Sequence, residues 1–187
     1  MHIIAGERRG AQLLAPAGMD TRPTQAKVKE SLFSIIQWYV PDARVLDLFA
    51  GSGSLALEAL SRGAESAVLA DANREAAGCI QKNIAKLRYE EKAVLFKGDW
   101  QQAVARLQEQ GKGFDLVFLD PPYRMEILGD CCQRLAKAGL LNPDCMLVLE
   151  HRTGAPAEPG EGFSLLKERT YGDTQIHFYL YGQEDEA

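Results

Sequence analysis

No apolar run in the sequence approaches the roughly 20 residues of a membrane span. The first ten residues, MHIIAGERRG, lack the long apolar segment of a secretory signal. Cysteine is scarce. Cys79, Cys131, Cys132 and Cys145 show no C-x-x-C spacing, and only three histidines accompany them, so a metal site is not expected. These absences suit a reduced, cytoplasmic protein whose thiols fill the core. There is no internal repeat, low-complexity linker or heptad pattern, and a monomer is expected. Positive charge is also in short supply. The net charge of −5 argues against a general nucleic-acid binder. What basic character exists is gathered early: residues 1–30 hold Arg8, Arg9, Arg22, Lys27 and Lys29 against Glu7, Asp20 and Glu30, so the remainder carries all of the negative excess. With 46% hydrophobic residues, the chain has ample material for the core of one globular domain.

His2 to Leu14 reads as a small hairpin around the polar turn GERRG. Thr24 is placed to cap a helix running to about Tyr39, with Val28, Leu32, Phe33, Ile35 and Ile36 on its apolar side. From Arg44 strand and helix patterns alternate: RVLDLFA, SLALEALSRG, SAVLAD, REAAGCIQKNIAKL, AVLFKGD, WQQAVARLQEQG, DLVFLD, MEILGDCCQRLAKAG and CMLVLEH. Five strands with helices between them predict an α/β, doubly wound, mostly parallel sheet covered on both faces. The end differs. After the loop TGAPAEPGEGF, two strand-like runs flank Gly172-Asp173 and predict an antiparallel hairpin. His151 and His177 read as strand residues.

In open α/β sheets ligands bind beyond the carboxyl ends of the strands. Four of these ends carry an aspartate: Asp47, Asp71, Asp99 and Asp120. One such acid is an ordinary helix cap; four at one edge suggest a site for polar groups. After the first strand comes Asp47-Leu48-Phe49-Ala50-Gly51-Ser52-Gly53, where glycine lets the backbone approach a ligand closely. Gly51 to Ala56 fits G-x-G-x-x-A, and Asp71 lies 20 residues past Gly51, where a ribose-binding acid is expected. A nicotinamide dinucleotide satisfies that pattern. S-adenosylmethionine satisfies it better, because Asp47 would repel a pyrophosphate but suits an ammonium, and Asp99 can accept from an adenine amine.

The fourth strand ends in Phe118-Leu119-Asp120-Pro121-Pro122-Tyr123. Proline lacks the N–H of a sheet ladder, so one proline already stops a strand. Two prolines make a stiff platform carrying one carboxylate, carbonyls without competing N–H groups, and one flat ring.

Together, HIIAGERRGAQL, TRPTQAKVKESLFSII, VLDLFAGSGSLALEALSRGA and FLDPPY resemble the RsmD family, within the Rossmann-like class I methyltransferases. The resemblance spans almost the whole chain, with two departures: Asp71 stands where Glu is usual and Lys29 where Arg is usual. It implies S-adenosylmethionine-dependent methylation of a guanine exocyclic N2 amine in bacterial 16S rRNA, within a small-subunit particle or an assembly intermediate. It implies a catalytic platform of Asp120, Pro121, Pro122 and Tyr123. It also implies a cofactor site of Asp47, Phe49, Gly51, Gly53, Asp71, Asp99, Trp100, Asp120 and Thr24, without a metal. Arg8, Arg9, Arg22, Lys27 and Lys29 are expected to dock RNA, though Arg22 and Thr24 can instead close over the cofactor. Residues 1–40 would form the docking extension, 41–183 the catalytic domain and 184–187 an acidic tail. Three other readings stand: a methyltransferase for another amine (adenine N6 of DNA, a tRNA guanine or a protein glutamine amide), a nicotinamide oxidoreductase, and a non-catalytic RNA-binding module.

Overall fold

A computed structural model describes residues 1–17, 23–122 and 125–182. Along the chain it has α1 (Pro23–Ile35), β1 (Arg44–Asp47), α2 (Ser54–Ser61), β2 (Ser66–Asp71), α3 (Arg74–Leu87) and β3 (Ala93–Lys97). There follow α4 (Trp100–Gln110), β4 (Phe114–Leu119), α5 (Leu128–Lys137), β5 (Leu141–Arg152), β6 (Phe163–Tyr171) and β7 (Thr174–Tyr181). The seven strands form one sheet in the order β3-β2-β1-β4-β5-β7-β6. β1 to β5 pair in parallel, whereas β7 lies antiparallel between β5 and β6. The strand order reverses between β1 and β4, which makes their carboxyl ends the place for a ligand.

Successive strand residues face opposite sides of a sheet. Val45, Leu69, Phe118, Val148 and Ile176 pack on one side with Leu32 and Phe33 of α1, Ile36 just past its end, Leu57 and Leu60 of α2, and Ile80 and Ile84 of α3. Leu46, Ala70, Val117, Leu119 and Leu149 pack on the other with α4 and α5. The N-terminal segment shares the first of these cores, through Ile3 and Leu13. Its expected hairpin is present but short. One bridge joins His2 to Gln12, and Ile3 N–H donates to Ala11 O (2.9 Å) and Gly10 N–H to Ile3 O (2.8 Å). α1 stops at Ile35, short of Tyr39, and a turn closed by Tyr39 N–H on Ile36 O lets Val40 enter the core. α5 begins at Leu128 rather than Met125, and Met125 N–H instead donates to Pro122 O (2.8 Å). Among the described residues no helix is long and apolar enough to cross a membrane.

Candidate active site

The glycine loop leaves β1 and turns into α2. Gly53 caps that helix at φ 79°, a left-handed conformation that favours glycine. An added Cβ there would come within 3.0 Å of Leu69 Cδ2 and 3.2 Å of Leu57 Cδ1, a tight fit on top of the backbone strain. The loop is braced from both sides. Asp71 Oδ2 accepts from Gly51 N–H (2.8 Å), and Ala50 O accepts from Gly53 N–H (2.6 Å). Two of the loop's N–H groups are therefore already engaged, and the carboxylate on Gly51 would oppose a pyrophosphate. A dinucleotide fits this loop poorly.

Asp47 is buried at the base of the loop, and its Oδ1 has no hydrogen-bond partner. Burial raises its carboxyl to about 7, against the pull of the Phe49 and Ala56 backbone N–H groups, and Asp71 adds to the rise. An orphaned, buried carboxylate oxygen suits a ligand that brings a cationic donor, as the ammonium of S-adenosylmethionine does. Asp71 ends β2, with Oδ1 accepting from Asn73 N–H (2.8 Å), and each of its oxygens retains a lone pair for a ribose hydroxyl. Asp99 is exposed one step along the edge and uses Oδ1 to cap α4 through Gln102 N–H (2.8 Å). Phe49 packs part-buried against the core on the far side of the sheet. Trp100, expected in the cofactor site, is almost fully buried. It is buried in that same far-side core, with the Arg134 guanidinium over its ring at 5.3 Å, because the first turn of α4 faces inwards. Thr24 lies in α1, with its side chain outside the described residues.

Asp120 follows β4 directly, Pro121 is buried and Pro122 exposed. Tyr123 lies outside the described residues. Burial, then the neighbouring charges of Glu150 and Asp47, hold the Asp120 carboxyl well above the ordinary carboxylate range. Glu150 is a site residue that the sequence reading missed. It is the last acid of an apolar strand, and only the pairing of β4 with β5 places it beside Asp120.

The expected docking cations divide. Lys29 is buried, and its ammonium donates to His2 O (2.8 Å) and Ser54 Oγ (2.9 Å) and lies 3.2 Å from Glu58 Oε2. It ties α1 to α2 and is not available to RNA. Arg8 is likewise committed, with Nε donating to Leu87 O (2.8 Å) and the guanidinium over Tyr89. The turn bearing Arg8 and Arg9 is pinned at Ser61, the far end of α2 from the glycine loop, so it sits about 12 Å from the catalytic edge. Arg9 and Lys27 are exposed, and Lys27 lies in the first two turns of α1, two residues before Lys29, whose ammonium meets Ser54 at the start of α2. Arg22 lies outside the described residues.

Comparison with known proteins decides the class. Residues 1–180 match the model of a family described as Conserved hypothetical protein 95. The chain is 34% identical over 186 residues to the Escherichia coli (strain K12) protein named Ribosomal RNA small subunit methyltransferase D, covering 98% of this chain and 90% of that one. The chain belongs to the RsmD family of methyltransferases. A Haemophilus influenzae protein of the same name is 33% identical over 180 residues, covering 96% of this chain and 93% of its own length. Among solved structures, Escherichia coli yhhF superposes with a TM-score of 0.85 at 31% identity, over 98% of this chain and 99% of that one. The RsmD family accounts for the joint presence of the glycine loop and Asp120-Pro121-Pro122 at one sheet edge.

Proposed function

We propose that the protein transfers the methyl group of S-adenosylmethionine to the exocyclic N2 amine of a guanine in 16S rRNA. The observation that carries this reading is the placement of Asp120-Pro121-Pro122 on the strand next to Asp47 and its glycine loop, an amine platform beside a cation-accepting cofactor cradle. The relatives named for small-subunit rRNA methylation support the substrate. S-adenosylmethionine, when bound, supplies an electrophilic methyl group on a sulfonium. Asp47 would take its ammonium, Asp71 its ribose hydroxyls and Asp99 its adenine amine, with Gly51 and Gly53 allowing close approach.

A guanine N2 amine is a poor nucleophile because its lone pair is delocalised into the ring. The Asp120 carboxylate and the Pro121 carbonyl would accept its two N–H bonds and turn the lone pair towards the methyl group. As the nitrogen–carbon bond forms the sulfur–carbon bond breaks, leaving a neutral thioether, and the surplus N2 proton passes to Asp120. Tyr123 stacks on the base. Orientation of this kind is worth roughly 7–11 kcal/mol in the best cases. The base must leave any stack or pair to reach the site, at a cost of a few kcal/mol. Lys27 docks RNA at the catalytic edge, with Arg22 beside it in sequence, and an extended RNA can reach Arg9. With a net charge of −5, few phosphates can be neutralised, which favours a small-subunit particle or assembly intermediate over naked RNA. The test separates binding from transfer. Asp120→Ala retains S-adenosylmethionine binding and loses methyl transfer by about 100-fold or more; undiminished transfer would sink the platform mechanism.

A further inference from the structure

Glu150 takes no part in the reaction as proposed above, yet the fold delivers it to the reacting edge. β4 and β5 run parallel with Leu119 opposite Leu149, so Asp120 and Glu150 follow at neighbouring positions. Both continue the face of Phe118 and Val148. Asp47 continues that face on β1, after Val45, and Asp71 on β2, after Leu69. Four adjacent strands thus present one carboxylate each to the same side. On the remaining flank β7 sets apolar Ile176 opposite Glu150. Among the described residues, no lysine or arginine forms an ion pair with any of the four acids. The unpartnered, buried Oδ1 of Asp47 leaves an unmet acceptor within the group.

We propose that Glu150, acting with Asp120, makes the site read the charge on its ligand's sulfur, favouring the sulfonium donor over the neutral thioether left after transfer. This rests on the cofactor assignment above. Crowded, part-buried carboxylates repel one another, and the Asp120–Glu150 pair holds protons that separate carboxyls would lose. Burial and its neighbours raise Asp120, and burial raises Glu150. A cation arriving beside the pair stabilises the charged forms and expels protons, so its binding strengthens as pH rises, by up to about tenfold per pH unit for each proton expelled. A neutral sulfur gains nothing comparable. S-adenosylmethionine and S-adenosylhomocysteine share ribose, adenine and ammonium, so the ratio of their affinities cancels the contributions of Asp71, Asp99 and Asp47 and isolates the sulfur. Loss of that charge on transfer also weakens the hold on the product. An ionised Asp120, the form that accepts from the amine, is thereby produced by the arrival of the donor.

Calorimetric titration of both ligands between about pH 5.5 and 8, in buffers of different ionisation enthalpy, tests the inference without turnover. The affinity ratio of donor to thioether rises with pH in the wild type, and donor binding releases more protons than thioether binding. Glu150→Gln, uncharged and of the same shape, flattens that rise by about threefold or more across the range and leaves thioether affinity unchanged, which also reports an intact fold. A flat ratio in the wild type, or an E150Q slope equal to it, overturns the inference and spares the cofactor assignment. If neither ligand binds the wild type, the assignment falls and the inference with it. Should E150Q not fold, the wild-type ratio and its proton release decide.

Discussion

Asp47 sets function against stability within a single side chain. Its carboxyl is raised by burial from 3.8 to about 7. The folded state therefore holds this proton more tightly than the unfolded chain does. The resulting contribution is fully present below pH 3.8 and is lost as pH rises to about 7, at up to about 1.4 kcal/mol per pH unit. Asp47→Asn cannot ionise, so it is expected to be more stable than the wild type at pH 8. The difference should vanish near pH 4, and cofactor affinity should fall. Denaturant melts at both pH values check this; a pH-independent difference would contradict it. Lys29 makes the opposite case. Its ammonium serves the buried Glu58 carboxylate, which also accepts from Ile4 N–H (2.8 Å), Ala5 N–H (2.9 Å) and Arg62 Nε (2.8 Å). Lys29→Met is expected to destabilise by about 3 kcal/mol, because it strips a partner from a buried charge. Lys27→Ala should leave the melt untouched and weaken RNA binding. Both lysines look alike in sequence. What separates them is the buried Glu58 under one of them, and a charge pattern alone does not show which acid is turned inwards.

At the scale of elements, the glycine loop is held in place by parts distant in sequence. Asn83 on α3 accepts from Leu14 N–H (2.8 Å) and donates to Leu14 O (2.8 Å) and Ser52 O (2.9 Å), stitching the N-terminal segment to the loop. Asn83→Ala leaves the buried Ser52 carbonyl and both backbone groups of the more exposed Leu14 short of partners and is expected to cost about 1–2 kcal/mol, with cofactor binding lost before the fold is, as followed by calorimetry alongside thermal melts. Gly53→Ala should lower cofactor affinity as well, since both its positive φ and the contacts with Leu69 and Leu57 force the loop to shift. The βα alternation was legible because each strand is a short apolar run and each helix shows a clear apolar stripe; α3 spans the predicted REAAGCIQKNIAKL. Helix ends were less so. α1 and α5 each run shorter than their apolar pattern, with local turns, Tyr39 N–H to Ile36 O and Met125 N–H to Pro122 O, where the pattern continued. The docking of β7 between β5 and β6 was not legible, since local pattern fixes a hairpin but not which of its strands meets the sheet.

For the whole molecule, the sheet order turns scattered acids into one site. Asp47, Asp71 and Asp120 were readable because each ends a strand and stands next to a glycine loop, a helix start or paired prolines. Glu150 has no such signature and becomes visible only through strand pairing. For Trp100 a strand end places the chain near the site, but helix phase, which sets its ring in the far-side core, is not legible from the strand end alone. The N-terminal segment, packed into the same core as the sheet, carries its Arg8-Arg9 turn to the edge away from the acids. RNA contacts that position the target are therefore expected on the α1 side, around Lys27. The central claim is methyl transfer to a guanine N2 amine, and one measurement addresses it directly. Radiolabelled S-adenosylmethionine is incubated with the protein and small subunits from cells lacking the activity, and the RNA is digested to nucleosides. The predicted result is label in N2-methylguanosine, absent with Asp120→Ala; label in a different nucleoside or in protein, or none despite measured cofactor binding, would contradict it.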